Sequence, residues 1–438
     1  MLFRKKNKNA KKVKNEKGST LLLSLVMILG MVILGTNYVL SVHSNSQISV
    51  RTYTEVEAMY IAEAGAELGL LEVNHGGRDF LVTDGWIEVT AGSEWTRNKS
   101  INISGGAKLG EFDVTVIKLI GEPKSYSVIS VGYFPDKTNP MFSKTVKVLA
   151  VEEKIFKDAI MGYGGIDVGS GALVDSYDSR IGKYNVSGNI GTDANFITNS
   201  SAANSVQIGN ASVVTGDVTI GTGGVEGVVI QTTGTGTYGG VKWLHKDKPK
   251  LSIPDQTGVF GTIPYGPLIV AKDATYKINV NEVEYDSITL KKNAKLIINA
   301  NTNIYVIGGI DLGVDSQIEI NPGISAKLWV NGNTNFDNGA TIDNTTHDPL
   351  RFKIYCTNNV ASFDLSQHSA GFYGNIYAPN ADVTIGNGTV FYGSVVGKSV
   401  KCTTGLQYHY DIASRYDSDP NALILGYFVT VWQEYTTP

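Results

Sequence analysis

Residues 19–50 contain no Asp, Glu, Lys or Arg, an uncharged run of 32 residues, whereas the mean helix of a globular protein has about 11–12. Leu, Val, Ile and Met dominate residues 21–42, interrupted only by Ser24, Gly30, Gly35, Thr36, Asn37 and a few others. A helix rises about 1.5 Å per residue, so roughly 20 apolar residues cross a hydrocarbon core about 30 Å thick. The run meets that length. The seventeen residues before Gly18 hold seven Lys and one Arg against one Glu, a net charge of +7. Short basic flanks stay cytoplasmic, so the bulk of the chain is expected outside.

An ordinary secretory signal has a shorter apolar core and an A-x-A-like cleavage site. Ser41-Val42-His43-Ser44-Asn45-Ser46 offers no such site. A plain uncleaved anchor stays open on these residues alone. Beyond the apolar run, Val50, Tyr53, Val56, Tyr60, Ala64, Leu68 and Leu71 recur at three- and four-residue intervals, while Arg51, Glu55, Glu63 and Glu67 fall elsewhere. That is the pattern of an amphipathic helix continuing without a break. It is expected to stop at Asn74-His75-Gly76-Gly77, where glycine tolerates the positive φ of a helix end. Counted from Ser19, the helix would have about 54 residues and be roughly 80 Å long. Half would sit in lipid and half on a globular head; a simple anchor has no use for the second half.

Gly18-Ser19 with its apolar run, followed by Ala58-Met59-Tyr60-Ile61-Ala62-Glu63-Ala64-Gly65, resembles the N-terminal region of PilX-type minor pilins over about residues 14–75. The resemblance implies cleavage after Gly18 by a prepilin peptidase, methylation of the new amino terminus on Ser19, and packing against other pilins through the helix, with Glu63 and Gly65 in its AEAG element. One position departs. Most pilins carry Glu at the fifth mature position, and here it is Leu23. In the family that Glu is thought to neutralise a neighbouring subunit's amino terminus. Subunits without it resemble those placed at a filament tip, or the pseudopilin K proteins of type II secretion.

A chain of 438 residues suggests two or three domains. Without the leader it holds 29 basic and 40 acidic residues, a net −11, which argues against nucleic acid, whose phosphates need a basic face. Glycine is abundant at 49 residues and tyrosine high at 22, text that suits many short strands joined by turns. Residues 112–117, 125–133 and 144–151 alternate apolar and polar side chains, as half-buried strands do. Pro135 and Pro140 separate the last two. Three such strands leaning on the helix would bury a face made of Tyr60, Leu68 and Leu71.

From about Asp158 a loose repeat begins. Asn303-Ile304-Tyr305-Val306, Lys327-Leu328-Trp329-Val330, Lys353-Ile354-Tyr355-Cys356 and Asn375-Ile376-Tyr377-Ala378 follow one another, with Ser394-Val395-Val396-Gly397 as a fifth unit. Each reaches a second apolar triplet such as Val383-Thr384-Ile385. Residues 170–224 carry similar text. Periods of 20–30 residues without helix point to a stacked solenoid. Pro249, Pro254, Pro264 and Pro267 mark a crossing loop or hinge between two halves. In this register Cys356 lies with Ala378 and Gly397, and Cys402 with Val383, on different strands, so two buried unpaired thiols are expected.

Phe372-Tyr373-Gly374-Asn375-Ile376-Tyr377-Ala378-Pro379-Asn380-Ala381, Phe391-Tyr392-Gly393-Ser394-Val395-Val396-Gly397-Lys398-Ser399 and His409-Tyr410-Asp411 resemble the β-rich domain that often follows PilX-type helices, sometimes likened to polymer-forming or adhesin-like β-helices. Read as residues alone, they are tight bends with aromatics stacked between rungs.

Little in the chain reads as catalytic. The six His are scattered, with neither H-E-x-x-H nor a pair at metal spacing, and there is no G-x-S-x-G elbow. Gly234-Thr235-Gly236-Thr237-Tyr238-Gly239 fits G-x-G-x-x-G after strand-like residues 228–232, yet runs into a Lys/Pro segment instead of a helix, so it fails as a nucleotide loop. Asp311, Asp315, Asp337 and Asp343 could align on successive rungs as a Ca²⁺ cluster of a polysaccharide lyase, though Asp commonly caps turns. Catalytic, cofactor and metal residues are therefore expected to be none.

The expectation is an α+β chain: a basic leader over residues 1–18, a transmembrane and amphipathic helix over 19–75, and a small pilin-like antiparallel head over 76–157. A large right-handed β-solenoid, or β-helix-like domain, follows over 158–415 with a Pro-rich break near 246–268, then a strand or tail over 416–438. Such a chain is a minor pilin-like structural subunit of a type IV pilus, held in the bacterial cytoplasmic membrane and then at the cell surface. It would act near the tip in assembly priming or adhesion. Its partners would be the prepilin peptidase, other pilins, the lipid bilayer and an unidentified surface or carbohydrate ligand, with no nucleic acid. A pseudopilin of type II secretion or DNA uptake, and a membrane-anchored polysaccharide-active enzyme, are the alternatives.

Overall fold

The computed structural model describes residues 12–76, 85–102, 108–121, 124–251, 253, 265–367, 370–386, 389–417 and 423–436. The chain divides into two compact units, one of residues 1–120, 125–151 and 429–438, the other of 121–124 and 152–428.

In the first unit a single helix, α1, runs over Lys12–Gly76, 65 residues or about 100 Å. It ends at the glycines expected to end it. The large side chains of residues 21–42 stand clear of the protein, and the helix is long and apolar enough to cross a membrane. Its second half docks on a sheet, but through a different face from the one expected. Tyr53, Val56, Tyr60 and Leu71 are 41–61% exposed, whereas Thr54, Ala58, Ile61, Ala62, Gly65, Ala66, Gly69 and Val73 are buried. The reason is steric. A Cβ on Gly69 would lie 2.6 Å from Val128 Cγ1, and one on Gly65 2.7 Å from Phe112 Cδ2. On the sheet side, a Cβ on Gly132 would lie 2.9 Å from Ala62 Cα. Valines fill much of the sheet's surface, so small helix residues stand where the two backbones approach most closely.

The sheet is six-stranded, in the order β1 (Ile87–Thr90), β2 (Glu94–Asn102), β3 (Lys108–Leu119), β4 (Ser125–Phe134), β5 (Phe142–Lys154) and the C-terminal strand Ile424–Thr436. β1 to β5 pair antiparallel. Val116, Val128 and Val148 lie opposite one another and are fully buried, the helix packing chiefly on β3 and β4. The strands expected over 112–117, 125–133 and 144–151 are the cores of β3, β4 and β5. Glu55 binds Lys144 at 2.5 Å and Glu72 meets Arg97 at 3.6 Å, tying α1 to the sheet.

The second unit is mostly β and built on parallel ladders. In one, Leu268 lies opposite Ile288, Ile288 opposite Ile310, and Ile310 opposite Thr334. In a second, Thr275–Ile278, Lys295–Ile298, Gln317–Ile320 and Thr341–Asn344 stack in turn. The third aligns Asn303 with Lys327, Lys327 with Lys353, and Lys353 with Asn375, the repeat read from the sequence; Ile376 then lies opposite Val395. Inward Ile, Val and Leu of successive strands form one continuous core.

The chain enters this stack in its middle. Strand Ile160–Val168 pairs on one side with Phe196–Ile197 and Val206–Ile208, and on the other with Val395–Cys402, the end of the second half. Strand Gln407–Asp411 likewise docks on Leu173–Tyr177. The hydroxyls of Tyr408 and Tyr410 donate to the carbonyls of Ala159 and Phe156 at 2.6 and 3.1 Å across that seam. The proline-bearing segment must therefore cross from Trp243 to Leu268 past intervening strands. Where it is described, it lies on tyrosines: Tyr163 donates to the Pro249 carbonyl and Tyr377 to that of Leu251. Pro254 and Pro264 lie outside the described residues.

Three local readings are corrected. Residues 228–229 close a short helical turn, Glu226–Val229, and only Ile230–Thr232 is strand. Cys402 lies opposite Ile385, not Val383, because the register slips between Ala378 and Asp382. The four aspartates do not align: Asp311 lies opposite Asn335 on one ladder, Asp343 opposite Glu319 on another. Both cysteines are buried and free.

Gly132→Val is expected to destabilise the helix-bearing unit by about 1–3 kcal/mol, the usual cost of overpacking. Gly35→Val, where a Cβ meets nothing within 4 Å, should leave it unchanged. Urea unfolding of the detergent-solubilised chain decides; equal midpoints for the two variants would refute the close approach.

Candidate functional site

The residues expected to serve processing and assembly all lie on α1. Gly18 and Ser19 fall inside its helical backbone; their side chains lie outside the described residues. Leu23 is 62% exposed within the apolar half. Glu63 is half-buried and Gly65 fully covered, pressed against Phe112 of β3. The AEAG element thus brings Ala62 and Gly65 to the sheet and leaves Tyr60 outside.

The second unit holds a site that sequence reasoning passed over. Its outer ladder carries Tyr373, Tyr392 and His409 on consecutive strands, paired residue to residue. Alternation along each strand sends Phe372, Phe391 and Tyr408 inward, where their rings stack at 4.9 and 4.8 Å. It leaves Tyr373 and Tyr392 outward, parallel within 2° at 4.2 Å. A loop over residues 178–191 folds back over them. The Asn189 side chain holds its shape, accepting from the Asp178 N–H and donating to the carbonyls of Asp178 and Gly182. Asn185 and Ser187 adopt positive φ to close it.

That loop carries Tyr184, whose ring stacks on His409 at 3.6 Å and whose hydroxyl donates to Asp175 Oδ2 at 2.7 Å. Asp175 Oδ1 also meets His409 Nδ1 at 2.5 Å, both side chains buried. Between loop and ladder lies a cleft of about 380 Å³ lined by Tyr177, Tyr184, Val186, His347, Tyr373 and Tyr392 among others. Burial pushes the phenols of Tyr177, Tyr184, Tyr373 and Tyr392 above their ordinary value, so all four stay protonated at neutral pH. The Tyr177 hydroxyl is buried without a hydrogen-bond partner, as is Asp411 Oδ2. Asp348 lines this cleft and also a wider polar groove of about 820 Å³ bordered by Asn281, Asn301, Asn303, Lys327 and Lys353. At its rim Lys353 pairs with Asp417 at 2.6 Å, both buried.

Among the described residues no group of three or more His, Cys, Asp and Glu could hold a metal. The glycines of the G-x-G-x-x-G match serve packing: a Cβ on Gly236 would lie 2.6 Å from the Gly209 carbonyl, and one on Gly239 2.9 Å from that of Gly216. A strand, Val241–Trp243, follows them. The signal that could have found the cleft is the outward tyrosine after each inward phenylalanine in the two Phe-Tyr-Gly units.

Residues 284–415 match a family model described as a domain of unknown function, DUF7305. No curated protein matches the chain. Among solved structures, the competence-associated pilin ComZ from Thermus thermophilus is similar at 13% identity, covering 87% of this chain and 98% of that one, with a TM-score of 0.25. So low a score carries no argument about fold or function.

Asp411, which accepts from the Ser179 N–H of the covering loop at 3.0 Å, supplies a test of how that loop is held. Desolvation pushes its carboxyl up, and the charge of Asp348 adds to this, although the backbone N–H groups of Ser179 and Ala413 favour the ionised form. The folded state then holds a proton that the unfolded chain has already released. Stability is thus greatest below the ordinary carboxylate range and falls as pH rises through the folded value. Relative to the parent, Asp411→Asn should melt higher at pH 7 than it does at pH 4. Parallel melting curves at the two pH values would contradict the assignment.

Proposed function

We propose that this chain is a membrane-anchored, pilin-like subunit of a surface filament, with its large β unit displayed outside the cell. The observation that carries this is the division of labour along α1. Its first half exposes an uncharged, mainly apolar surface of membrane-crossing length, and its second half docks closely on an antiparallel sheet, with alanines and glycines at the tightest contacts. The +7 leader orients the helix with its N-terminus inside. The reading places Gly18 at a prepilin-peptidase site, Ser19 at the methylated mature terminus, and the helix among those of other pilins. Leu23, where most pilins have Glu, favours a minor subunit at or near the tip, for priming or adhesion. It equally suits a pseudopilin of a secretion or DNA-uptake machine, which differs in partners, not in helix.

The parallel ladders of the second unit are read as a right-handed β-solenoid. Support comes from three ladders recurring in the same order along the chain and from the strong right-handed preference of parallel crossovers. The unit would act by display, without catalysis or cofactor.

Processing tests this reading. Gly18→Val puts a side chain where the peptidase needs none, so the leader should stay attached and hold the subunit in the membrane, since moving its charges through lipid is costly. Mass spectrometry of the parent chain should find a mature protein starting at Ser19, with or without a methyl group. An N-terminus intact at Met1 in cells with an active peptidase removes the pilin reading in favour of a plain anchored protein.

A further inference from the structure

We propose that the tyrosine-lined cleft at residues 177–186, 346–348, 373 and 392 binds a neutral sugar ring within a longer glycan. The faces of Tyr373 and Tyr392 are covered by each other and by the His347 and His409 rings, so what these residues offer the cleft is ring edges and phenol groups, which suit the ring oxygen and hydroxyls of a pyranose. Tyr373 and Tyr392 are held parallel by consecutive rungs, His347 lies 4.6 Å from Tyr373 at one end, and Tyr184 stands edge-on to Tyr392 at the other. The ladder and the Asn189-braced loop fix these rings before any ligand arrives. A mainly apolar cleft with a few polar groups is the usual form of a small-ligand site, and about 380 Å³ falls in its size range.

The polar groups select the class. Lys183 and Asp348 bring one charge of each sign to the lining, which favours neither anion nor cation. A nucleic acid would also stack, but its backbone needs a basic track, and the lining includes a single lysine. A hydroxyl-rich ligand fits better. The neutral phenols of Tyr373 and Tyr392 can both donate and accept, whereas the Tyr184 hydroxyl is already given to Asp175 and the Tyr177 hydroxyl is buried. Asp348 borders the adjoining polar groove as well, so a glycan of several units has an amide- and lysine-lined path beyond the first ring.

The inference rests on the second unit alone, so it can fail while Ser19 processing succeeds, and the reverse. The test uses the full chain in a sugar-free detergent such as lauryldimethylamine oxide. An array of neutral α- and β-linked oligosaccharides, including cellopentaose, mannopentaose and N-acetylchitopentaose, should yield at least one saturable binder. Calorimetry with that glycan should then show Tyr373→Ala and Tyr392→Ala weakening affinity about tenfold or more. Tyr373→Phe, which removes only a hydroxyl, should weaken it several-fold without lowering the melting temperature. Tyr60→Ala, on α1, should bind as the parent does. An array with no saturable binder, Tyr373→Phe and Tyr373→Ala binding like the parent, or displacement of the glycan by a dT10 oligonucleotide would each overturn the proposal.

Discussion

A rung of a parallel ladder cannot bury its own apolar side chains; it needs a rung on each side. Everything in the larger unit follows from meeting that need at the middle of the stack as well as along it. Because the chain enters at Ile160–Val168, that first strand has one neighbour from the residues that follow it and must wait for Val395–Cys402 to supply the other. The seam is accordingly well furnished. Tyr408 and Tyr410 are fully buried there, and their hydroxyls donate to carbonyls of Ala159 and Phe156 across the seam, so neither buried phenol is left without a partner. Closing it joins residues more than two hundred positions apart, a non-local contact of the kind that slows folding.

The smaller unit answers a different demand. One helix has to suit two surroundings, so its residues divide by size and not by polarity alone. In the first half large aliphatic side chains face outward all round. In the second half, the closest approach to the sheet falls to Ala58, Ala62, Gly65, Ala66 and Gly69, with Ile61 and Val73 buried beside them, because the valines of β3 and β4 already occupy the space between the backbones. Tyr53, Val56, Tyr60 and Leu71 are left outside as an exposed apolar surface.

This explains what could be read from the residues and what could not. The rung register was legible because Asn303, Lys327, Lys353 and Asn375 each open the same polar-aliphatic-aromatic pattern, and no bulge intervenes among them. Cys402 lay beyond such an irregularity and was placed two residues off. The docking face of α1 was misassigned because hydrophobic periodicity favours large residues, while close backbone packing selects small ones. β2 was missed because Glu94–Asn102 is largely polar, with little alternation to betray it.

The cleft was hidden for a reason that bears on its role. Its tyrosines were visible, but Asp175 and His409, which anchor Tyr184, come from opposite ends of the larger unit and meet only when strand Gln407–Asp411 docks on Leu173–Tyr177. The 178–191 loop then finds its partners: Tyr184 on Asp175, and the Ser179 N–H on Asp411 at 3.0 Å. The site is therefore assembled by the same closure that completes the core. A chain that has not closed its stack has a row of tyrosines but no loop held over them, so recognition at this cleft is tied to the folded state of the whole unit.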